Sequence, residues 1–264
     1  MAWGGLLIPI VLAIGAAPHA AAAGKTDPWF EQALQEQRTA SLDRLFGLYA
    51  RSAEQGNAVA QYNVAMMYAN GEAVNVDYQQ AAYWFGKSAQ QALPAAQYRL
   101  GEMYYFGRGG LERNLRKAFD LFEKASENGD TDAQVNLAMM LAAADGVPLD
   151  TGRALHWLSR AVDGGHAAAP EYYQLLRTSP GGRVTEAQRS AYWDQQRTFW
   201  IEEAAEYGVR EAEETSAWDL HSVRTRTGRR AEGDAAVTRF EKFRPARRWR
   251  RWASDSTRWF RPDP

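Results

Sequence analysis

The side chains able to carry acid–base or metal chemistry are few and scattered. Beyond residue 23 the histidines are His156, His166 and His221, and no two stand at i, i+4 or in a His-Glu-x-x-His run. Nothing therefore presents two imidazoles to a metal from one helical face. The chain has no cysteine, which removes thiolate ligands, thiol nucleophiles and disulfides. Glu202-Glu203 and Glu213-Glu214 are paired carboxylates, but basic residues accompany them along predicted helices, the pattern of a solvated charged face. No Gly-x-Ser-x-Gly, Walker loop or Gly-x-Gly-x-x-Gly occurs, and Gly107-Arg108-Gly109-Gly110 reads as an inter-helix loop. The expectation is a protein that is not an enzyme and that takes no cofactor and no metal.

Two sets of side chains are instead suited to recognition. Towards the C-terminus, Arg247, Arg248, Arg250 and Arg251 alternate with Trp249 and Trp252, and Trp259 follows at helical spacing. A helix there has a tryptophan face and an arginine face, fit for an anionic membrane surface, an acidic partner or the acidic remainder of this chain. Formal net charge is −1, but 13 basic and 5 acidic residues lie between Arg224 and Pro264, against 18 and 27 elsewhere. The second set is a stripe spaced by 4, 3 and 4 residues in each of three segments: Val59, Asn63, Met66, Asn70; Ala95, Arg99, Glu102, Phe106; Asp132, Asn136, Met139, Ala143.

The elements that position this stripe repeat. AQYNVAMMYANG begins at Ala60, AQYRLGEMYYFG at Ala96 and AQVNLAMMLAAADG at Ala133, a period of 36 to 37 residues. Such a period marks a solenoid of supersecondary units. In the first helix of each unit (helix A), Ala60, Val64, Met67 and Tyr68 recur as Ala96, Leu100, Met103 and Tyr104, then as Ala133, Leu137, Met140 and Leu141, an apolar stripe of period 3.6. Asn57 and Asp130 are placed as N-caps, and Pro94 stands where a first helical residue needs no N–H donor. Gly71 and Gly107 end helix A. Asp77, Asn114 and Asp150 cap the second helix (helix B), with Asp77 and Gln80 spaced as a capping box. Small residues at Ala65, Gly101 and Ala138 and at Ala81, Ala118 and Ala154 permit close approach, and Trp84, Phe85, Phe122 and Trp157 wedge between units.

These residues resemble a known family. Leu100-Gly101, Tyr104, Gly107, Lys117-Ala118, Lys124-Ala125 and Glu127-Asn128-Gly129 follow the pattern of the Sel-1-like repeat, a longer relative of the tetratricopeptide repeat. The resemblance is good over residues 53–165. It implies an all-α, right-handed superhelical solenoid of about five αα-hairpins, with a C-terminal basic amphipathic helix or tail. Some family members carry one disulfide per repeat; this chain must hold its units by packing alone. The flanking units are degenerate. Asp27-Pro28 opens a short helix, Leu45, Leu48 and Tyr49 lie in a helix B, and Trp200 to Gly208 repeats the end of a unit after an insertion at 179–182. Atypical ends suit a solenoid, which must cover its open ends.

The expected organisation is a signal peptide at 1–23, a solenoid at 24–222 and a basic, Trp-rich tail at 223–264. The apolar run 6–14 followed by small residues through Ala23 predicts export to the periplasm, or secretion, with cleavage near Ala23. Export disfavours nucleic acid as the partner of the tail. In solenoids of paired helices the A helices line the concave surface, the usual binding face. Asn63, Met66, Asn70, Arg99, Glu102, Phe106, Asn136 and Met139 are thus the candidate contacts for a protein or peptide partner. Exported family members of this size regulate or assemble the cell envelope, which makes a non-catalytic interaction scaffold the first reading. The alternative is an envelope glycan or peptidoglycan-fragment binder or hydrolase, with Tyr104, Tyr105 and Phe106 as its aromatic platform. Because the stripe does not recur, Asn63→Ala and Arg99→Ala are expected to cost less than about 0.5 kcal/mol.

Overall fold

The computed structural model describes residues 27–206, with side chains described as far as Arg197. Among these residues there are ten α-helices, one 3-10 turn and no strand. The hairpins are α1 (Pro28–Glu36) with α2 (Leu42–Glu54), α3 (Ala58–Asn70) with α4 (Tyr78–Gln90), α5 (Pro94–Phe106) with α6 (Leu115–Glu127), and α7 (Thr131–Ala143) with α8 (Thr151–Asp163). Then come α9 (Ala169–Thr178), the turn Pro180–Gly182 and α10 (Glu186–Glu206). From α1 to α9 each helix packs on the next, as in an αα-hairpin solenoid. This stack belongs to one compact unit that ends at Trp193; a second unit begins at Asp194. Its described part is helical, with an ion pair between Arg197 Nη2 and Asp194 Oδ1 at 3.0 Å.

Caps fix the boundaries. Asn57 Oδ1 accepts from the N–H groups of Val59 and Ala60, Asp130 Oδ1 from Ala133, Asn114 Oδ1 from Lys117 and Asp150 Oδ1 from Arg153. Asp77 Oδ1 accepts from Gln79 and Gln80, but its own N–H donates to Tyr68 O at 2.9 Å and so does not take part in the expected capping box. The same tie from helix B's cap back to helix A recurs as Asn114 N–H to Tyr104 O and Asp150 N–H to Leu141 O. A reciprocal capping box occurs instead at α10, where Gln188 N–H donates to Thr185 Oγ1 and Thr185 N–H to Gln188 Oε1. Helix A ends in the left-handed region at Gly71 and Gly107, and at Ala144 in the third unit, where a Cβ stands in a conformation that favours glycine.

The glutamine of each repeated motif stitches one unit to the next. Gln61 Nε2 donates to Ala53 O, Gln97 Nε2 to Ala89 O and Gln134 Nε2 to Ser126 O, all carbonyls in the last turn of the preceding B helix. Those carbonyls lack the donor four residues on and accept instead from the N–H groups of Gly56, Ala92 and Gly129; the glutamine amide adds a second donor to each. Phe85, Phe122 and Leu158 occupy one recurring slot on helix B and are fully buried. A Cβ on Gly101 would lie 2.7 Å from Phe122 Cε1, so the absence of a side chain at 101 is what admits that ring.

Candidate partner-binding face

Past its first position, where Asp132 is exposed, the stripe on the A helices is largely covered. Asn63, Asn70, Arg99, Glu102, Asn136 and Met139 are buried, Glu102 at 1 % exposure, and Met66 and Phe106 are half-buried. The expected exposure of these slots is therefore corrected. Residues that vary from unit to unit are engaged within the protein, each unit in its own way. Asn70 Nδ2 donates to Glu72 Oε1 at 3.1 Å in the first unit. In the second, Glu102 Oε1 accepts from Tyr98 Oη at 2.9 Å and Glu102 Oε2 from Arg99 Nη1 at 3.0 Å. Burial pushes the Glu102 carboxyl up and the Arg99 guanidinium opposes that shift. Removing either partner of such a pair leaves a buried charge uncompensated, so the small cost expected for Arg99→Ala is reversed.

The third unit is covered from a distance in sequence. After α9 the chain turns back: Thr151 Oγ1 donates to Gly182 O and Val184 N–H to Ala142 O, which brings the first turns of α10 over α5 and α7. Tyr192 Oη donates to Asn136 Oδ1, Arg189 Nη1 lies 3.4 Å from Asp145 Oδ1, and the Trp193 ring stacks on Tyr105 with centroids 3.7 Å apart. Tyr105 Oη in turn donates to Asp145 Oδ2. Burial raises the Tyr105 hydroxyl above the ordinary phenol range, with that hydrogen bond adding to it. The aromatic platform expected at Tyr104, Tyr105 and Phe106 is thus corrected too: Tyr105 is buried beneath Trp193 and Phe106 packs edge-on against both rings. Among the described residues, buried Asn136 Nδ2 and Trp193 Nε1 have no hydrogen-bonding partner. Sequence reasoning missed Asp145, Arg189, Tyr192 and Trp193. The available signal was the arginine three and four residues ahead of an aromatic pair, in a helix outside the repeat.

A carboxylate cluster flanks this face. His166 Nδ1 accepts from the N–H groups of Ala168 and Ala169, so its Nε2 carries the proton, which points to Asp132 Oδ1 at 3.0 Å. Asp130 is pushed up to about 7, by burial first and by the Asp132 charge second. His156 is exposed against Trp157. Among the described residues no group of three or more His, Cys, Asp or Glu is placed to hold a metal, and no helix is long and apolar enough to cross a membrane. Apart from this face, an open cleft of about 420 Å³ lies between α4, α5 and α6, lined by Tyr83, Leu100, Tyr104 and Lys124 among others. The expected signal peptide through Ala23, His221 and the expected tail contacts Arg247, Arg248, Trp249, Arg250, Arg251, Trp252 and Trp259 lie outside the described residues.

The Sel1 repeat profile matches residues 58–93, 94–130 and 131–166. A component of the ERAD-associated E3 ubiquitin-protein ligase of Arabidopsis thaliana is 32% identical over 42% of this chain and 18% of its own length. An exopolysaccharide production negative regulator of Rhizobium meliloti is 30% identical over 48% of this chain and 52% of its own. The chain thus spans about half or less of the length of these relatives. The crystal structure of a Sel1 repeat protein from Oxalobacter formigenes superposes with a TM-score of 0.53 at 24% identity, covering 70% of this chain and 73% of that one, and agrees in fold.

Proposed function

We propose that this chain, which residues 58–166 make a member of the Sel1 repeat family, is a non-catalytic interaction scaffold or regulator of the bacterial cell envelope. One observation carries this reading. On a frame whose slots recur, one stripe departs from the repeat in the second unit, with Arg99 between Asn63 and Asn136 in one row and Glu102 between Met66 and Met139 in the next. The recurring frame supplies stability, and Met66 and Phe106, the half-buried members of the stripe, are the ones left to meet a partner, since its other candidate contacts are buried within the protein. The relatives support the class, since their names describe a ligase component and a regulator rather than the catalyst of a reaction. Export and the envelope setting rest on the apolar run 6–14, the small residues through Ala23 and the likeness to the exopolysaccharide regulator.

The direct test is affinity capture from an envelope extract with the full chain and with a variant changed at Met66 and Phe106. A protein retained by the first and lost by the second is the expected result. Recovery of oligosaccharides or muropeptides in place of a protein assigns the protein to the glycan-binding alternative. A periplasm-dependent reporter fused after Lys25 is expected to be active, and retention in the cytoplasm refutes the envelope setting.

A further inference from the structure

The contact between α10 and the A helices goes beyond the next step of the solenoid. A tenth helix continuing the stack would lie against α9 as α9 lies against α8. The first turns of α10 do meet α9, through the Tyr192 and Tyr172 rings 5.3 Å apart, but they also reach back to side chains of the second and third units, through Arg189, Tyr192 and Trp193. This contact has the composition of an interface anchor: two large aromatics and an arginine set into a surface that receives them with a buried carboxylate, Asp145, a buried amide, Asn136, and a ring, Tyr105. It is also imperfectly made. Asn136 Nδ2 and Trp193 Nε1 find no partner at its centre among the described residues. Arg189 stays about one-third exposed on its carboxylate. Beside it an open cleft of about 390 Å³, lined by Ala143, Val184 and Arg189 among others, separates the start of α10 from the end of α7. A segment that fits in its side-chain types but leaves polar atoms unmatched is one that a better-matched segment can displace.

We infer that the α5–α7 face is a docking groove for an amphipathic helix of a partner protein, one with an arginine three and four residues ahead of a Tyr/Trp pair, and that α10 occupies it in cis until that helix arrives. The inference rests on the scaffold reading and specifies its site. Asp145 takes the partner's guanidinium, Asn136 a hydroxyl or indole donor, and Tyr105 the flat face of an aromatic ring. The partner's helix succeeds α10 only by paying the free energy that holds α10 in place, so occupancy in cis sets the affinity threshold.

The test uses the full chain and a fluorescein-labelled peptide of residues 184–197 as the probe, read by anisotropy. Wild-type protein is expected to bind the peptide weakly, because its own α10 competes at high effective concentration. Tyr192→Ala/Trp193→Ala in the full chain is expected to tighten binding at least ten-fold, and Asp145→Asn added to that variant to weaken it again. A folded double variant that binds no tighter than wild type overturns the proposal and leaves α10 as ordinary core. Should the double variant not fold, Arg189→Ala removes the part-exposed pairs with Asp145 and Glu186 and still decides: a few-fold gain supports the groove, and unchanged affinity overturns it. Tighter binding of a residue 237–264 peptide to the same face also overturns it, by giving the groove to the chain's own tail. Capture of a partner that the α10 peptide does not compete for sinks the groove and keeps the scaffold. Peptide binding without any captured partner does the reverse.

Discussion

The A and B helices of the three repeats, α3 to α8, are each 13 residues long and alternate along the chain, yet they solve different problems. In α4, α6 and α8 one face is buried and the other is exposed, with Phe85, Phe122 and Leu158 inward and Tyr83, Lys124 and Arg160 outward. In α3, α5 and α7 nearly every residue past the first turn is covered, including Gln61, Asn63, Arg99, Glu102, Gln134 and Asn136. An amphipathic helix needs only one apolar stripe, whereas a helix covered on both sides must place polar groups inside and find each a partner. The glutamines find theirs in the frame, by the same bond in every unit. Where residues of the varying stripe find partners, they do so by different means in each unit, and Asn136 Oδ1 accepts from Tyr192, 56 residues on. Buried polar groups thus divide into those that hold the repeat together and those that distinguish one unit from another.

That division can be broken at several depths. The largest effect is expected at the frame: Phe122→Ala should lower stability by about 3–5 kcal/mol in urea titration. Arg99→Ala follows, at about 3 kcal/mol, because Glu102 is left charged and buried. The sharper experiment gives the second unit the residues of its neighbours. Asn and Met stand at these slots in the first and third units, so Arg99→Asn with Glu102→Met should fall within about 1–2 kcal/mol of wild type. A double variant as unstable as Arg99→Ala would mean that the pair belongs to the frame.

Smaller still is a pH effect at the edge of the face. The Asp130 carboxyl lies near Asp132, Arg99 and Glu102 and is raised to about 7 in the folded protein from its ordinary value of 3.8. A raised carboxyl favours the folded state while protonated, so this contribution is full below about pH 4 and is lost as pH rises through about 7. Asp130→Asn keeps a cap of the kind Asn57 provides and should flatten that dependence. Its gain at pH 8 should be about 1 kcal/mol, since Asp130 is only partly covered by its neighbours. The least effect is expected on the outward face of a B helix, where Arg116→Ala removes an exposed i,i+4 pair with Asp120 and should change the midpoint by no more than about 0.5 kcal/mol.

By itself the sequence determined the repeat and its register. Helix caps act over three residues and the apolar stripe over four, so Asn57, Asp77, Asn114, Asp130 and Asp150 announce their helices locally, and the recurrence at 36 to 37 residues multiplies that evidence. The role of Gln61, Gln97 and Gln134 was within reach as well, since a polar residue that recurs inside an apolar stripe must meet something that recurs. The fate of the varying stripe was decided only by the tertiary structure. Whether Arg99 or Asn136 meets solvent depends on what covers the helix, and the cover comes from Glu102 one turn away in one unit and from Tyr192 in another. Periodicity reports which face of a helix packs against its neighbours in the repeat; it is silent about a second face buried by a segment that does not repeat.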